Sequence, residues 1–235
     1  ATTATVSTSG NVLGNAGGTV GISYALNGCI ATQSISIVSC PSITVTHTTA
    51  QGAPVNTTIT YNTVLSNAGG TPRCWLEKNL GATTIPSSIT DVSASAMGWF
   101  YQFGTKQGFA YAAGVRTPAT AWIPTSQVST DWPVAFEPCI NALGPDWRLP
   151  TSREWASSTG SFANQTAQFA SVLKMHKPGH LDNNGTYAMP GIIGSYWAVT
   201  LGNFTNMGSS YFVAGNQVTM TPLNEGHLIR CIRNN

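Results

Sequence analysis

The stretch PDWRLPTSREW at residues 145–155 constrains the fold more than any other part of the sequence. Pro150 restricts the residue before it, Leu149, to an extended backbone. Thr151 is followed three residues later by Glu154, the spacing of a capping box, in which each side chain bonds a free backbone N–H of the first helical turn. The sequence therefore predicts an extended segment that turns sharply into a helix, which we call the elbow.

The elbow is predicted to organise a domain and to carry no reaction chemistry. Its extended part covers residues 147–150, and its helix runs from Ser152 to about residue 158. Two tryptophans flank the turn, and side chains of this size are expected to anchor it in the core. An arginine and a glutamate are expected to pair across it, with Arg230 or Arg233 as the alternative partners of the glutamate. The residues of this structural motif are Trp147, Arg148, Thr151, Glu154 and Trp155.

Charged residues make up only 8% of the chain, against about 25% in ordinary soluble domains. A surface that is polar but nearly uncharged repels its own copies weakly, which favours self-association. The net charge of +2 comes without a Lys/Arg cluster, so no nucleic-acid partner is predicted. No run of apolar residues is long enough for a membrane-spanning helix, so no membrane span is predicted either. Five cysteines indicate disulfides and a secreted or surface location, with one cysteine left over.

The N-terminal residues 1–39 contain short runs of partial period-2 alternation, separated by Gly and Asn turns, which predicts β-strands. Val20, Ile22 and Tyr24 fall on one face of their strand. Four short strands amount to about half of a β-sandwich, because they cannot close two packed sheets. This region is therefore expected to be a partial β module.

Residues 40–72 are predicted to form a β-rich connector, and residues 73–235 a second module. The elements of the second module are short and mixed, with helices before a run of strands, which is typical of an α+β fold. Helices are expected near residues 92–103, after Thr151 and near 166–175. Strands are expected near residues 43–47, 57–64, 74–76, 196–200, 210–214, 217–220 and 227–232.

Several blocks of sequence resemble known families. ATVSTSGNVLGNAGGTVGISYALNGCIATQSISIV resembles the C-terminal half of bacterial immunoglobulin-like (group 2) repeats, whose front strands have no counterpart here. Five later blocks resemble, in order, the Fibrobacter succinogenes major paralogous domain family. They are RCWLEKNLGAT (73–83), SSITDVSASAMGWFYQFGTKQG (87–108), EPCINALGPDWRLPTSREW (137–155), GSYWAVT (194–200) and NQVTMTPLNEGHLIRCIRN (216–234). The link INALGPD before Trp147 is longer than the family's, and Ala198-Val199 replaces its usual Ser-Ser.

The resemblance implies a C-type-lectin-like fold for residues 73–235, at the C-terminal end of a secreted or surface protein of a bacterium. It implies adhesion or binding. In the family, the cysteine before the elbow recurs with the cysteine of the last strand, which implies a Cys139–Cys231 disulfide. Cys40–Cys74 is the second expected pair, and Cys29 would then be free. Four cysteines allow three connectivities, so the rival pairings stay open.

The loop LDNNGT at 181–186 is rich in oxygen ligands and could suit calcium. It lacks the alternating carboxylates and the closing glutamate of an EF-hand, and an Asn-Gly turn is the alternative. The calcium ligands considered are Asp182, Asn184 and Glu225.

Two histidines, His176 and His180, have the spacing of a metal pair on a helix. Pro178 and Gly179 interrupt any regular helix between them, so loop histidines are favoured over a zinc site. No nucleophile–base set and no carboxylate pair is recognisable, which predicts a protein that is not an enzyme and needs no catalytic cofactor. The aromatic cluster at 99–103 favours core packing over sugar stacking.

An incomplete sandwich leaves open strand edges, which a strand from another chain can fill by β-augmentation. The leading hypothesis is a structural extracellular protein at the bacterial cell surface whose N-terminal module is completed by a neighbouring copy. Such contacts build a head-to-tail filament or appendage. The alternative is an adhesin or glycan-binding module at the tip of a longer surface protein, with a surface glycan or protein as ligand. A trimmed chain or a proteolytic fragment would equally explain the missing strands.

Overall fold

Short strands dominate the chain in the computed structural model, which describes residues 3–14, 17–68, 70–125, 128–202 and 207–234. The α-helices in this part span four to eight residues. The prediction of an α+β chain is confirmed, and strands make up most of its regular structure. The chain divides into two compact units, Ala1–Pro41 (unit 1) and Ser42–Asn235 (unit 2). No helix of the described residues is both long and apolar enough to cross a bilayer.

Unit 1 consists of two separate antiparallel hairpins. Their strands are β1 (Ala4–Val6), β2 (Val12–Gly14), β3 (Gly18–Leu26) and β4 (Cys29–Ile37). Asn27 and Gly28 join β3 to β4 and both have positive φ, which is typical of the tight turn that Asn-Gly favours between twisted strands. Val20 lies opposite Ile35, and Ile22 and Tyr24 follow on the same face of the hairpin.

Unit 2 holds all the remaining elements. Its helices are α1 (Ala94–Met97), α2 (Pro138–Leu143), α3 (Ser152–Thr159) and α4 (Gln165–Ala170), with 3-10 turns at Thr49–Gln51 and Val134–Phe136. Its first strands are β5 (Ile43–His47), β6 (Thr57–Tyr61), β7 (Thr63–Ala68), β8 (Thr71–Leu76), β9 (Phe100–Gln102), β10 (Gly108–Ala112), β11 (Val115–Thr117) and β12 (Trp147–Arg148). The later ones are β13 (His180–Leu181), β14 (Tyr187–Ala188), β15 (Ser195–Leu201), β16 (Met207–Phe212), β17 (Gln217–Pro222), β18 (Gly226–Leu228) and β19 (Ile232–Arg233).

These strands form three sheets. The largest has nine strands in the order β11-β10-β9-β18-β15-β16-β17, with β13 and β14 attached through β18. A four-stranded sheet runs β12-β19-β8-β7, and β5 pairs with β6. Two clusters of buried side chains fill the spaces beside the sheets. One surrounds Cys139, Cys231 and Trp197, and the other surrounds Trp155.

The segment expected to be a connector contributes strands to unit 2. The hairpin β5–β6 buries His47, Ile59 and Tyr61 in that unit. The next strand, β7, pairs along its whole length with β8. Because these side chains need a core to cover them, residues 42–72 belong to the same compact unit as residues 73–235.

The helix expected near residues 92–103 is much shorter in the structure. It ends at Met97 because Gly98 adopts a positive φ of 75°, and a Cβ there would meet the Leu80 carbonyl oxygen at 2.5 Å. The aromatic residues that follow belong to strand β9 and its flanks, and Trp99, Phe100, Tyr101 and Phe103 are all buried. The cluster therefore packs in the core.

Candidate functional site

The elbow forms a closed set of hydrogen bonds at the start of α3. Thr151 Oγ1 accepts the Glu154 N–H at 3.1 Å, and the Glu154 carboxylate accepts the Thr151 N–H at 2.9 Å. Arg148 donates to both carboxylate oxygens, at 2.7 and 2.6 Å. Burial raises the pKa of Glu154, but the bonds from Arg148 and Thr151 outweigh it and the net pKa is lowered. These groups satisfy one another, so the elbow has a structural role.

The tryptophans of the elbow are both buried. Trp155 stacks on Tyr211 with ring centroids 5.2 Å apart, and its indole N–H donates to the Trp197 carbonyl at 3.1 Å. Trp147 belongs to the cluster around the disulfide. The two side chains therefore anchor the elbow in two different parts of the core.

Glu137 is a buried carboxylate that sequence reasoning did not single out. It caps α2 by accepting the Ile140 N–H at 2.7 Å, and its other oxygen accepts the Leu149 N–H at 2.8 Å. Burial raises the pKa of Glu137 to about 7, although these hydrogen bonds and Arg148 oppose the shift. The side chain thus joins α2 to the extended part of the elbow and changes charge near neutral pH.

We expect the stability of the protein to fall as pH rises through neutrality, because of Glu137. Its pKa in the folded chain lies above its ordinary value of 4.5, so the folded state binds the proton more tightly than the unfolded state does. The free energy of unfolding should therefore fall by about 3 kcal/mol between about pH 5 and pH 8. Urea denaturation at intervals of pH measures this slope.

Glu137→Gln removes the titrating group and should flatten that part of the pH profile. The amide oxygen can still accept one of the two backbone N–H groups, so the variant is expected to fold with lower stability at acid pH. The test compares how steeply the free energy of unfolding changes with pH in the variant and in the wild type, and it does not depend on their absolute stabilities. Equal slopes for wild type and variant would contradict the role given to Glu137.

Cys139 and Cys231 are bonded to each other, the pair that the family resemblance put first, with their Cα atoms 5.7 Å apart. Cys40 and Cys74 are also disulfide-bonded, and Cys29 is a free, exposed thiol. The Cys139–Cys231 bond joins α2 to the residue just before β19. Both ends of the bond are fully buried.

Arg230, next to this disulfide, is a fully buried cation that the sequence suggested only as an alternative partner for Glu154. It donates to the carbonyl oxygens of residues 76, 77 and 173 at 3.1, 2.8 and 2.7 Å. Its Nε and Nη2 both donate to Asn79 Oδ1, at 3.2 and 2.8 Å. Burial lowers the pKa of Arg230 to about 10, so it remains charged at neutral pH. It joins three chain segments through neutral acceptors.

The loop considered for calcium is a tight turn. The Gly185 N–H donates to the Asp182 carbonyl at 2.8 Å, and Asp182 Oδ1 accepts from the N–H groups of Asn184 and Thr186, both at 2.9 Å. The loop's carbonyls face a protein cation, because Arg116 donates to Gly185 O at 3.0 Å. Trp122 donates in the same way to the carbonyl of residue 183.

Glu225, the third calcium candidate, contacts histidines instead. Its Oε2 lies 3.0 Å from His227 Nε2 and 3.9 Å from His180 Nε2. The two imidazole rings stack with centroids 5.4 Å apart. Burial, and then His227, lowers the pKa of His180, while Glu225 and Asp182 oppose the shift. Within the described residues, no group of three or more His, Cys, Asp and Glu side chains is arranged to hold a metal ion.

The two histidines of the MHKPGH segment lie in different surroundings. His176 is buried, with Nδ1 3.2 Å from the Tyr196 hydroxyl, and burial lowers its pKa to about 3. His180 lies on β13 and stacks on His227 of β18, the strand with which β13 pairs. The structure thus gives these two histidines separate partners.

A cavity of about 300 Å³ opens beside the edge strand β17, and Glu225 and His227 lie in its wall. The hydroxyls of Ser195 and Thr221 form another part of the wall, and both contact Ser210 Oγ behind it, at 3.0 and 2.7 Å. The remainder is largely apolar. The lining residues are Ile193, Ser195, Phe212, Gln217, Thr219, Met220, Thr221, Pro222, Glu225 and His227. Its chemistry suits a group with an apolar body and a polar tip.

Unit 1 differs from an ordinary folded domain in its burial, its charge and its strand pairing. None of its described residues is buried, so it has no core of its own. Residues 1–41 contain no Lys, Arg, Asp, Glu or His. No third described strand pairs with the β3–β4 hairpin, so both its outer edges are open. Its exposed large apolar side chains are Val6, Val12, Leu13, Tyr24, Leu26 and Ile30.

Comparison of the chain with protein-family models, with curated proteins and with solved structures found no match.

Proposed function

We propose that the protein is an extracellular structural subunit of a head-to-tail filament or appendage, in which unit 1 of one copy is completed by strand pairing with a neighbouring copy. The observation that carries this proposal is the β3–β4 hairpin. It has nine-residue strands, an exposed apolar face and two open edges.

The hairpin needs a partner for physical reasons. An isolated two-stranded hairpin is marginal in water, and independent stability needs more strands or a surface against which the apolar face packs. On the face that they share with Val20 and Ile22, Tyr24 and Leu26 are 65% and 57% exposed. Contiguous exposure of this kind marks interaction surfaces. An added strand would bond an open edge and bring side chains to cover this face.

The absence of charge in residues 1–41 favours a second copy as the partner. Sheet edges of monomeric proteins are commonly protected by lysine, proline or inward-pointing charges. No such charge is present on β3 or β4. The ten basic and eight acidic residues of the chain leave a net charge of only +2, so copies repel one another weakly. A contact between unit 1 and a different surface of the next copy is heterologous, and it continues as a filament when the rotation between successive copies does not close a ring.

The disulfides support an extracellular location. Cys40, Cys74, Cys139 and Cys231 are all disulfide-bonded, and such bonds persist in oxidising compartments. The resemblance of residues 1–39 to immunoglobulin-like repeats, and of residues 73–235 to the major paralogous domain family, agrees with a bacterial cell surface. On this proposal unit 1 provides the assembly contact and unit 2 a lectin-like, non-enzymatic body.

Assembly is tested by sedimentation velocity and negative-stain electron microscopy of the purified chain over a range of concentrations. Wild type is expected to sediment faster as concentration rises and to form filaments. Ile35→Lys places a charge on the apolar face of the hairpin and should leave the chain monomeric, because burying an unpaired charge is costly.

Ser34→Lys is the matched control, since it adds the same charge to the opposite face of the same strand. It is expected to retain most of the assembly. The melting temperature of unit 2 should be equal in both variants, because residues 34 and 35 lie in unit 1. The proposal would be contradicted by a wild-type chain that stays monomeric at all concentrations. It would also be contradicted if the two variants assembled to the same extent.

A further inference from the structure

We infer that the strand that completes unit 1 is β17 of a neighbouring copy, with Tyr24 of the hairpin seated in the cavity beside that strand. This inference rests on the proposed function and specifies the surface that unit 1 contacts.

Strand β17 is an open edge of the nine-stranded sheet. It pairs with β16 over six residues, from Gln217 to Pro222, and no described strand lies on its other side. It carries no charged residue. The opposite edge strand, β11, has only three residues and includes Arg116. Of the two edges of this sheet, β17 is therefore the longer and the uncharged one, and its proline, Pro222, is the last residue of the strand, which leaves five residues able to accept an added strand.

The cavity beside β17 selects a particular kind of side chain. Phe212, Met220 and Pro222 supply apolar surface, whereas the Glu225 carboxylate supplies an acceptor. Glu225 is only partly buried, with 22% of its side chain exposed, and can accept from an incoming hydroxyl. A volume of about 300 Å³ is ample for one aromatic side chain. A tyrosine combines an apolar ring with a polar tip and therefore matches this wall.

Tyr24 is the only aromatic residue in residues 1–41. It is 65% exposed and lies on the apolar face of β3, on the same side as Val20 and Ile22. The other exposed large side chains of unit 1 are aliphatic and lack a polar tip. If the outer edge of β3 pairs with β17, alternate side chains of β3 lie beside the face of the nine-stranded sheet that carries the cavity. Tyr24 then fills the cavity and its hydroxyl donates to Glu225.

The contact joins unit 1 of one copy to unit 2 of the next. The two surfaces are different, so a pair of copies still presents the free hairpin of one copy and the free β17 of the other. Such a heterologous contact can add further copies until a ring closes or, where the rotation does not close, as an open filament.

Cross-linking between two distinguishable copies tests whether the hairpin of one copy lies beside β17 of the other. The first copy is wild type, whose one free thiol is Cys29 at the start of β4. The second carries an affinity tag, Cys29→Ser and Thr219→Cys, so that its new thiol lies on β17. A short bismaleimide should link the first copy to the second. A tagged control copy with Cys29→Ser and Thr60→Cys, which is exposed on β6, should give little mixed product.

Measurements of association test whether the Tyr24 side chain contributes to the contact. Tyr24→Ala should weaken assembly by about tenfold or more, the scale of a truncated aromatic anchor. Tyr24→Phe, which loses only the hydroxyl, should weaken it less, and Glu225→Gln should match Tyr24→Phe. Leu26→Ala, on the same hairpin, is the comparison for lost apolar area alone and should weaken assembly less than Tyr24→Ala.

The outcomes separate this inference from the proposed function. Filaments that form without the mixed cross-link would overturn the β17 site and leave assembly standing. No association at all would overturn both. A chain carrying both Cys29 and Thr219→Cys that cross-links within itself at high dilution would show that the hairpin docks on its own copy. Binding of a free monosaccharide that Glu225→Gln abolishes, with assembly unchanged, would assign the cavity to a glycan instead.

Discussion

Arg230→Met is expected to lower the free energy of unfolding by about 4 kcal/mol, because it leaves several buried acceptors without a donor. The guanidinium makes five hydrogen bonds in a site from which water is excluded. Each buried acceptor left unsatisfied costs about 1–3 kcal/mol. Removal of a desolvated cation recovers part of this loss, so the sum of the separate bonds overestimates the effect. Urea denaturation of the full chain, followed by tryptophan fluorescence, measures the change.

Two further arginine variants make this prediction specific. Arg230→Lys keeps the charge but cannot reproduce a planar fork that bonds two other chain segments, so an intermediate loss is expected. Arg233→Met removes a partly exposed arginine that lies 3.5 Å from the exposed carboxylate of Asp146. Exposed pairs of this kind contribute about 1 kcal/mol or less. Equal losses for Arg230→Met and Arg233→Met would mean that the buried hydrogen bonds contribute little.

The elbow was predictable because its determinants are local. Pro150 acts on the residue before it, and Thr151 and Glu154 act within a single helical turn. The structure shows the capping box between Thr151 and Glu154 and a helix that starts at Ser152. Spacing within a few residues is enough to specify such features, whatever the rest of the fold does.

The surroundings of Arg230 and Glu225 could not be read in the same way. Arg230 bonds groups near residues 76–79 and at residue 173, and Glu225 meets a histidine at position 180. Only the tertiary fold brings such distant positions together. A hint was present for Arg230, because it stands in the apolar run HLIRCI of a chain with few charges. A cation in that setting must find buried acceptors, but the sequence does not say which.

The boundary of the units depended on packing as well. Residues 42–72 have the β pattern that was expected of them, yet their apolar side chains lie in the core of unit 2. The helix near residues 92–103 failed for a related reason, since burial of four aromatic side chains on an extended segment outweighs local helix preference. Unit 1 differs because nothing in its described residues buries its strands. Its strands could be predicted from the alternation of apolar and polar residues, and the assembly experiments test which surface covers them.

Removal of the Cys139–Cys231 disulfide should have the second large effect. The bond closes a loop between residues separated by 92 positions. On the chain-entropy model, a loop of this length raises the free energy of unfolding by about 4 to 5 kcal/mol. The variant Cys139→Ser/Cys231→Ser is therefore expected to lose about that much stability. Denaturation curves of the variant and wild type, both without reductant, measure the difference.

The residues beside the two cysteines indicate that the loss of stability will reach the upper part of that range. Cys139 lies two residues after Glu137, the cap that joins α2 to the elbow. Cys231 follows Arg230, which holds the segments at residues 76–79 and 173. The disulfide therefore keeps two buried polar networks in register. If it is cut, each network can lose hydrogen bonds in addition to the entropy term.

Cys29→Ser is the control for the chemical change from thiol to hydroxyl. Cys29 is exposed and unbonded, so this variant should unfold with wild-type stability. A double variant with Arg230→Met in the Cys139→Ser/Cys231→Ser background tests the coupling. If the disulfide holds Arg230 in place, the combined loss should be smaller than the sum of the two separate losses. Additive losses would mean that the disulfide acts through the unfolded chain alone, independently of the buried arginine.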